Sequence, residues 1–289
     1  MTRRKMLKQK LIWLKLVILL SFVIVSVSAH AGEQAKPKLY VFEVGKMAIP
    51  DKCIIVSGPC GQFKPYIIPV YAYLISHPKG LILIDTGLNP DTWPEELRKE
   101  IIWSPEQQRI DKQLAKLGYK PEDIKYVIMT HLHLDHAGWM KLFPKSTFVV
   151  RQEELRGAWW PDPRIALAYL IGDLEGTRDF QYLELDNLES FDLFLDGSVV
   201  CFITNGHTQG HQSVLVNLNK MGKVVLTGDA LDSIEMLDRT LLPSIAWSPE
   251  LALKTIKRLQ HMRREGVTII PSHDPEFSNT LKLAPDYYE

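Results

Sequence analysis

The chain has 289 residues, 46% of them hydrophobic and 24% charged, with 34 basic against 34 acidic side chains. This is ordinary globular composition, enough for one large domain or two small ones, and it excludes a disordered chain. The first 31 residues hold six of the basic residues and no acidic one, so the remainder carries 28 basic against 34 acidic, a poor surface for gripping phosphate backbones. Nucleic acid is excluded as a substrate on that ground.

Arg3, Arg4, Lys5, Lys8 and Lys10 precede an apolar run from Leu11 to Val27, and Ala29-His30-Ala31 fits a small-x-small cleavage site. A secretory signal peptide over residues 1–31 is expected, with residues 32–289 as the domain and the periplasm or the exterior as its location. An uncleaved membrane anchor is the alternative, although Lys15 interrupts the run. An oxidising compartment would let Cys53 and Cys60, seven apart across Gly58-Pro59, close a small loop; two free thiols are the other reading. Cys201 sits in the apolar run Val199 to Ile203 and reads as buried packing.

Early strands are expected over Leu39–Val44, Ile67–Ser76 and Leu81–Ile84, the last ending at Asp85. That carboxylate either orients a ligand from behind or bonds to the turn backbone. Pro105 to Leu117 reads as an amphipathic helix with Ser104 as its N-cap. Ile124 to Met129 is a buried strand, Ser146 to Val150 another, and Gln152 to Trp159 a helix. The stretch 159–174 reads as a surface helix whose aromatic residues belong to the core, or else as a lid. Strands then follow over Val199–Thr204, Ser213–Asn219 and Lys223–Thr227. A helix over Pro249–Arg264, capped by Ser248 and stopped by Gly266, leads to a last strand, Val267–Ile270. Strands and helix appear twice in coarse outline, which predicts an α/β fold of two sheets packed as a sandwich with helices outside.

The strand Ile124–Met129 delivers THLHLDHAG, residues 130–138, in which His131, His133, Asp135 and His136 crowd into six positions. His131 and His133 are two apart and can point the same way from extended chain, whereas Asp135 and His136 fall where a following helix should begin. Four potential ligands beside a buried strand are costly unless a metal satisfies them. Imidazole and carboxylate donors suit zinc, and a site with open positions is a catalytic one. Later strand ends add His207, Asp229 and His273. His30, His77 and His261 have no partner motif and are assigned nothing.

These five motifs resemble the metallo-β-lactamase superfamily. HLHLDHAG, GHTQGHQS, the Asp-Ala after a strand, PELAL followed by IKRL and the Tyr287-Tyr288 ending look most like its N-acyl homoserine lactonases. The resemblance implies an αββα sandwich of two mixed sheets and two divalent ions, most simply Zn²⁺. It gives His131, His133 and His207 to one ion, Asp135, His136 and His273 to the other, and makes Asp229 the bridge. It leaves His211 off the metals, with a structural hydrogen bond instead. Two ions about 3.5 to 4 Å apart can share a water, lower its pKa to about 7 and polarise a carbonyl. The implied reaction is hydrolytic opening of a lactone ring, quorum quenching if the lactone is an acyl homoserine lactone, with Asp135 carrying a proton to the leaving alkoxide. One position departs from the family. A tyrosine that usually contacts the lactone three residues after the bridging aspartate is Asp232 here, a candidate substrate-binding residue, and an ionised carboxylate donates no hydrogen bond.

Other readings within the superfamily are hydrolysis of another lactone, ester or thioester, as in glyoxalase II, and a β-lactamase. Export disfavours the thioesterase, because its glutathione substrate is chiefly intracellular. The expected partner is a small molecule, with the membrane reached only through an uncleaved N-terminal segment and a homo-oligomer left open.

Overall fold

A computed structural model describes residues 37–62, 64–99, 101–103, 105–186 and 188–289. The expected signal segment and the expected cap Ser104 lie outside them. A seven-stranded sheet takes β1 (Lys38–Ile49), β2 (Tyr66–His77), β3 (Gly80–Ile84), β4 (Ile101–Trp103), β5 (Ile124–Ile128), β6 (Thr147–Arg151) and β7 (Gln181–Leu185). A five-stranded sheet takes β8 (Ser190–Asp192), β9 (Val199–Ile203), β10 (Gln212–Leu218), β11 (Gly222–Leu226) and β12 (Thr268–Ile270). The strand orders are 4-1-2-3-5-6-7 and 12-11-10-9-8. Both sheets are mixed: β3, β5, β6 and β7 run parallel, as do β11 and β12, while the remaining pairs are antiparallel.

The helices among the described residues are α1 (Glu95–Arg98), α2 (Ile110–Lys116), α3 (Gln152–Trp159), α4 (Ile171–Leu174), α5 (Ile234–Arg239), α6 (Pro249–Arg264) and α7 (Pro275–Ser278), with α2 and α6 on the two outer faces. Successive strand residues point to opposite faces, so each sheet feeds two cores. Ile82, Ile84 and Ile128 pack between the sheets against Val214, Val216 and Leu226. Their neighbours Leu83 and Val127 turn outward to Ile110 and Leu114 of α2. On the other side, Val225 and Ile269 meet Ile256 and Leu259 of α6. The result is the expected αββα sandwich.

Three local expectations need correction. No helix begins at Asp135. The backbone of 136–138 instead pairs with the end of β3: Thr86 N donates to His136 O at 2.7 Å, Gly138 N to Gly87 O at 2.8 Å, and Gly87 and Ala137 form a bridge. A Cβ on Gly138 would sit 2.4 Å from Asn89 N and 2.7 Å from Gly87 O, so only glycine permits this approach. The helix expected over 105–117 is a single 3-10 turn at Glu106–Gln108 followed by the shorter α2, because Arg109 between them is extended. The stretch 159–174 is not one helix. Pro161 and Pro163 stop α3, Trp160 is left 89% exposed, and only a 3-10 turn at Ala166–Ala168 and α4 are regular. The strands β4, β7 and β8 and the short helices α1, α5 and α7 were not expected.

Candidate metal centre

The C-terminal ends of β3, β5, β9, β11 and β12 deliver Asp85, His131 and His133, His207, Asp229 and His273 to one edge of the sandwich, the usual place for a site in such sheets. Two groups form there: His131, His133, His207 and Asp229, and Asp135, His136, Asp229 and His273. Within each group the ligand atoms lie within 4.8 Å of one another, and every residue is buried. Asp229 belongs to both, and its two oxygens divide the work. Its Oδ2 lies 3.6 Å from Nε2 of His131 and 3.5 Å from Nε2 of His207, whereas its Oδ1 lies 3.1 Å from Nε2 of both His136 and His273. Oδ2 of Asp135 joins the second pair, 3.3 Å from His273 and 3.7 Å from His136.

The donor set fits divalent cations. Nε2 of His131 is buried without a hydrogen-bond partner, 3.6 Å from Oδ2 of Asp229, and leaving it so is costly unless something cationic completes it. Burial pushes the imidazoles of His131, His133 and His207 below their ordinary range, which keeps them neutral and able to ligate. Burial opposes charge on Asp229, but His273, His136 and His131 hold its carboxyl well below the usual carboxylate range.

A supporting shell fixes the rings. Nδ1 of His136 lies 2.8 Å from Oδ2 of Asp85, and Nδ1 of His273 lies 2.8 Å from the carbonyl of Pro69. Asp85 has a φ of 55° and accepts from both N and Oγ1 of Thr130, each at 2.7 Å. It stands behind His136, as in the first of its two expected roles, and the backbone it bonds is that of Thr130 on the neighbouring strand end and not its own turn. Glu154 on α3 was missed by the sequence reading. Its Oε1 accepts from Leu132 N at 2.9 Å and Tyr169 Oη at 3.0 Å, and its Oε2 accepts from Thr208 Oγ1 at 2.5 Å and Gly210 N at 3.2 Å. One carboxylate thus ties the 131–133 loop to the 207–210 loop. Burial still pushes it above the ordinary carboxylate range. The signal for it was a charged residue four positions before Ala158, on the buried side of α3.

His211 belongs to neither group, and its Nδ1 meets Oγ1 of Thr204 at 2.9 Å. His77 stacks on Phe194, and His261 is exposed. A cavity of about 370 Å³ opens beside the two groups, with His133, Asp135, His207, Asp229, Asp232 and His273 in its lining. The rest of its wall is almost wholly apolar: Met47, Ile49, Ile54, Ile55, Ile68 and Ile245, together with Trp93, Ile165, Leu167 and Ala168. Asp232 is 4% exposed and faces this cavity, and burial beside Asp229 pushes its carboxyl well above the ordinary range.

The profile of the metallo-β-lactamase superfamily matches residues 66–273. The chain belongs to that superfamily. The relatives include the N-acyl homoserine lactonase AttM of Azorhizobium caulinodans, 31% identical over 87% of this chain and 98% of that one. The N-acyl homoserine lactonase AiiA of Bacillus thuringiensis subsp. kurstaki is 28% identical over 86% and 98%. The solved structure of an N-acyl homoserine lactone hydrolase, with the product N-hexanoyl-L-homoserine at its catalytic metal centre, superposes with a TM-score of 0.77. It is 28% identical and covers 88% of this chain and 99% of its own. With two groups of metal-binding residues beside a cavity, this metallo-β-lactamase relative is a metal-dependent hydrolase.

Proposed function

We propose that the protein is a dinuclear zinc lactonase that opens the ring of N-acyl homoserine lactones, with His131, His133 and His207 holding one ion, Asp135, His136 and His273 the other, and Asp229 bridging. The observation that carries the reading is the division of Asp229, one oxygen toward each set of imidazoles, beside an apolar cavity. Two divalent ions bound there supply a nucleophilic water at neutral pH and a Lewis acid for the ester carbonyl.

The chain's own residues do the rest. The apolar wall around Met47, Ile68 and Ile245 takes the acyl chain out of water, which at roughly 0.8 kcal/mol per buried methylene provides most of the hold on such a substrate. Asp135 lines the cavity and carries a proton to the leaving alkoxide. Because that alkoxide stays tethered, water adds across one bond and a single hydroxy acid results. The relatives named above, and the product bound in the hydrolase structure, support this substrate class.

A panel of acyl homoserine lactones, simple lactones, a thioester and a penicillin, offered to zinc-loaded protein, tests it. Acyl homoserine lactones should show the highest kcat/KM, and preference for the thioester or penicillin would refute the reading. We further propose export with cleavage after Ala31, supported by the N-terminal pattern and by the Cys53–Cys60 disulfide, which suits an oxidising compartment. N-terminal sequencing of exported protein should start within a few residues of Gly32; an intact Met1 would contradict it.

A further inference from the structure

The disulfide between Cys53 and Cys60 closes a loop of which two residues, Ile54 and Ile55, face the cavity beside the metal centre. Within the loop the only regular structure is one 3-10 turn, Lys52–Ile54. Behind it, the Asp51 carboxylate gathers both ends of the loop, accepting from Cys53 N at 3.2 Å, Gly61 N at 3.0 Å and Gln62 N at 2.9 Å. In front, the loop is sewn to the segment 242–244. Ser57 N donates to Leu242 O at 2.8 Å, Leu242 N to Ser57 Oγ at 2.9 Å, and Ser244 N to Ile55 O at 2.9 Å. That segment continues into Ile245, also in the cavity wall, and Trp247, whose N donates to the carbonyl of His207 at 2.9 Å. Ile54, Ile55 and Ile245 therefore form one stretch of wall, connected at one side to the metal centre and held at the other by the disulfide.

We infer that the Cys53–Cys60 disulfide is a specificity-determining brace, which holds Ile54 and Ile55 in place as the apolar wall and so sets the preference for substrates with a long apolar arm. The inference builds on the lactonase reading and names a substrate subclass within it. A short, irregular loop has many conformations to lose, and a cross-link removes many of them in advance. A wall already in place costs a ligand nothing to order, so the bond acts on binding of the arm. The reacting ester sits at the metal centre, whose ligands come from other strands, so chemistry is left alone. Because Ile54 is 41% exposed, it lies where the cavity meets solvent, and only an arm long enough to reach that far feels the brace.

The test is steady-state kinetics of zinc-loaded wild type and the double variant C53A/C60A on acyl homoserine lactones with four-carbon and ten-carbon chains. The brace predicts that KM for the ten-carbon substrate rises about tenfold, with kcat for both substrates and KM for the four-carbon one within twofold of wild type. Treating wild type with a phosphine reductant should give the same split, and reoxidation should reverse it, which covers the case in which the variant does not fold. Ile55→Ala, with the disulfide intact, should raise the long-chain KM in the same direction. Parallel losses on both chain lengths, or an unchanged profile, would overturn the brace. A wild type that opens no lactone would refute the functional reading instead, and the brace would then be read from binding of a fluorescent twelve-carbon fatty acid. Affinity falling about tenfold on reduction would support it, and equal affinity would overturn it.

Discussion

Oδ2 of Asp85 lies 2.8 Å from Nδ1 of His136, while Nε2 of the same ring lies 3.1 Å from Oδ1 of Asp229. The ring is thus held from behind by one carboxylate and presented to the metal-binding side. A carboxylate in this position fixes both the tautomer and the orientation of the imidazole. Asp85 holds this place at the end of β3 in a left-handed backbone conformation, φ 55°, uncommon for a non-glycine residue although Asp adopts it more readily than most.

Asp85→Ala should therefore weaken metal binding by about 10- to 100-fold, the usual effect of losing such a partner. Competition with a chromophoric chelator measures it. Affinity equal to wild type would show that His136 needs no support from behind.

Glu154 makes a separate claim. Glu154→Ala leaves two backbone N–H groups and two hydroxyls without their buried acceptor. An unsatisfied buried donor costs about 1–3 kcal/mol, and water entering the space recovers part of it, so a loss of roughly 2–4 kcal/mol is expected. Thermal unfolding of the metal-loaded protein should show Tm lowered by about 5–10 °C, and the variant should lose zinc faster to a chelator. Glu154→Gln, which keeps one acceptor oxygen, should fall between. A Tm within one degree of wild type for the alanine variant would refute the clamp.

How much of this was legible from residues alone follows from where each signal sits. His131, His133, Asp135 and His136 announce themselves because four ligands fall in six positions. Asp229 and His273 are single residues at strand ends, and only the likeness of their motifs to a known family separated them from ordinary polar turns. The long strands and α6 followed from apolar periodicity. The missing helix after Asp135 was invisible because its cause is tertiary: backbone pairing with Thr86 and Gly87, fifty residues earlier in the chain. Glu154 was hidden beside Glu153, since which of two adjacent glutamates turns inward depends on the loops they meet.

Asp232 lines the cavity next to Asp229 and His273, at the place where the resemblance expects a tyrosine. Asp232, even with burial favouring its neutral form, is a shorter side chain than the phenol it replaces; losing a donor to the reacting oxygen typically costs about 10²- to 10³-fold in rate, so even partial restoration is visible. Asp232→Tyr should raise kcat/KM for an acyl homoserine lactone at least about tenfold, roughly 1.4 kcal/mol, with metal content unchanged. A fall in kcat/KM at equal metal loading would mean that Asp232 itself contacts the substrate in a way that a phenol cannot replace.

If two ions held across Asp229 make one hydrolytic site, activity should appear only when both are bound. The direct measurement is a titration of metal-free protein with zinc while following opening of an acyl homoserine lactone by proton release. Little turnover is expected up to one equivalent, full turnover at two, and none for His131→Ala at any zinc content. Full activity at one equivalent, or turnover that persists in the metal-free protein, would contradict it.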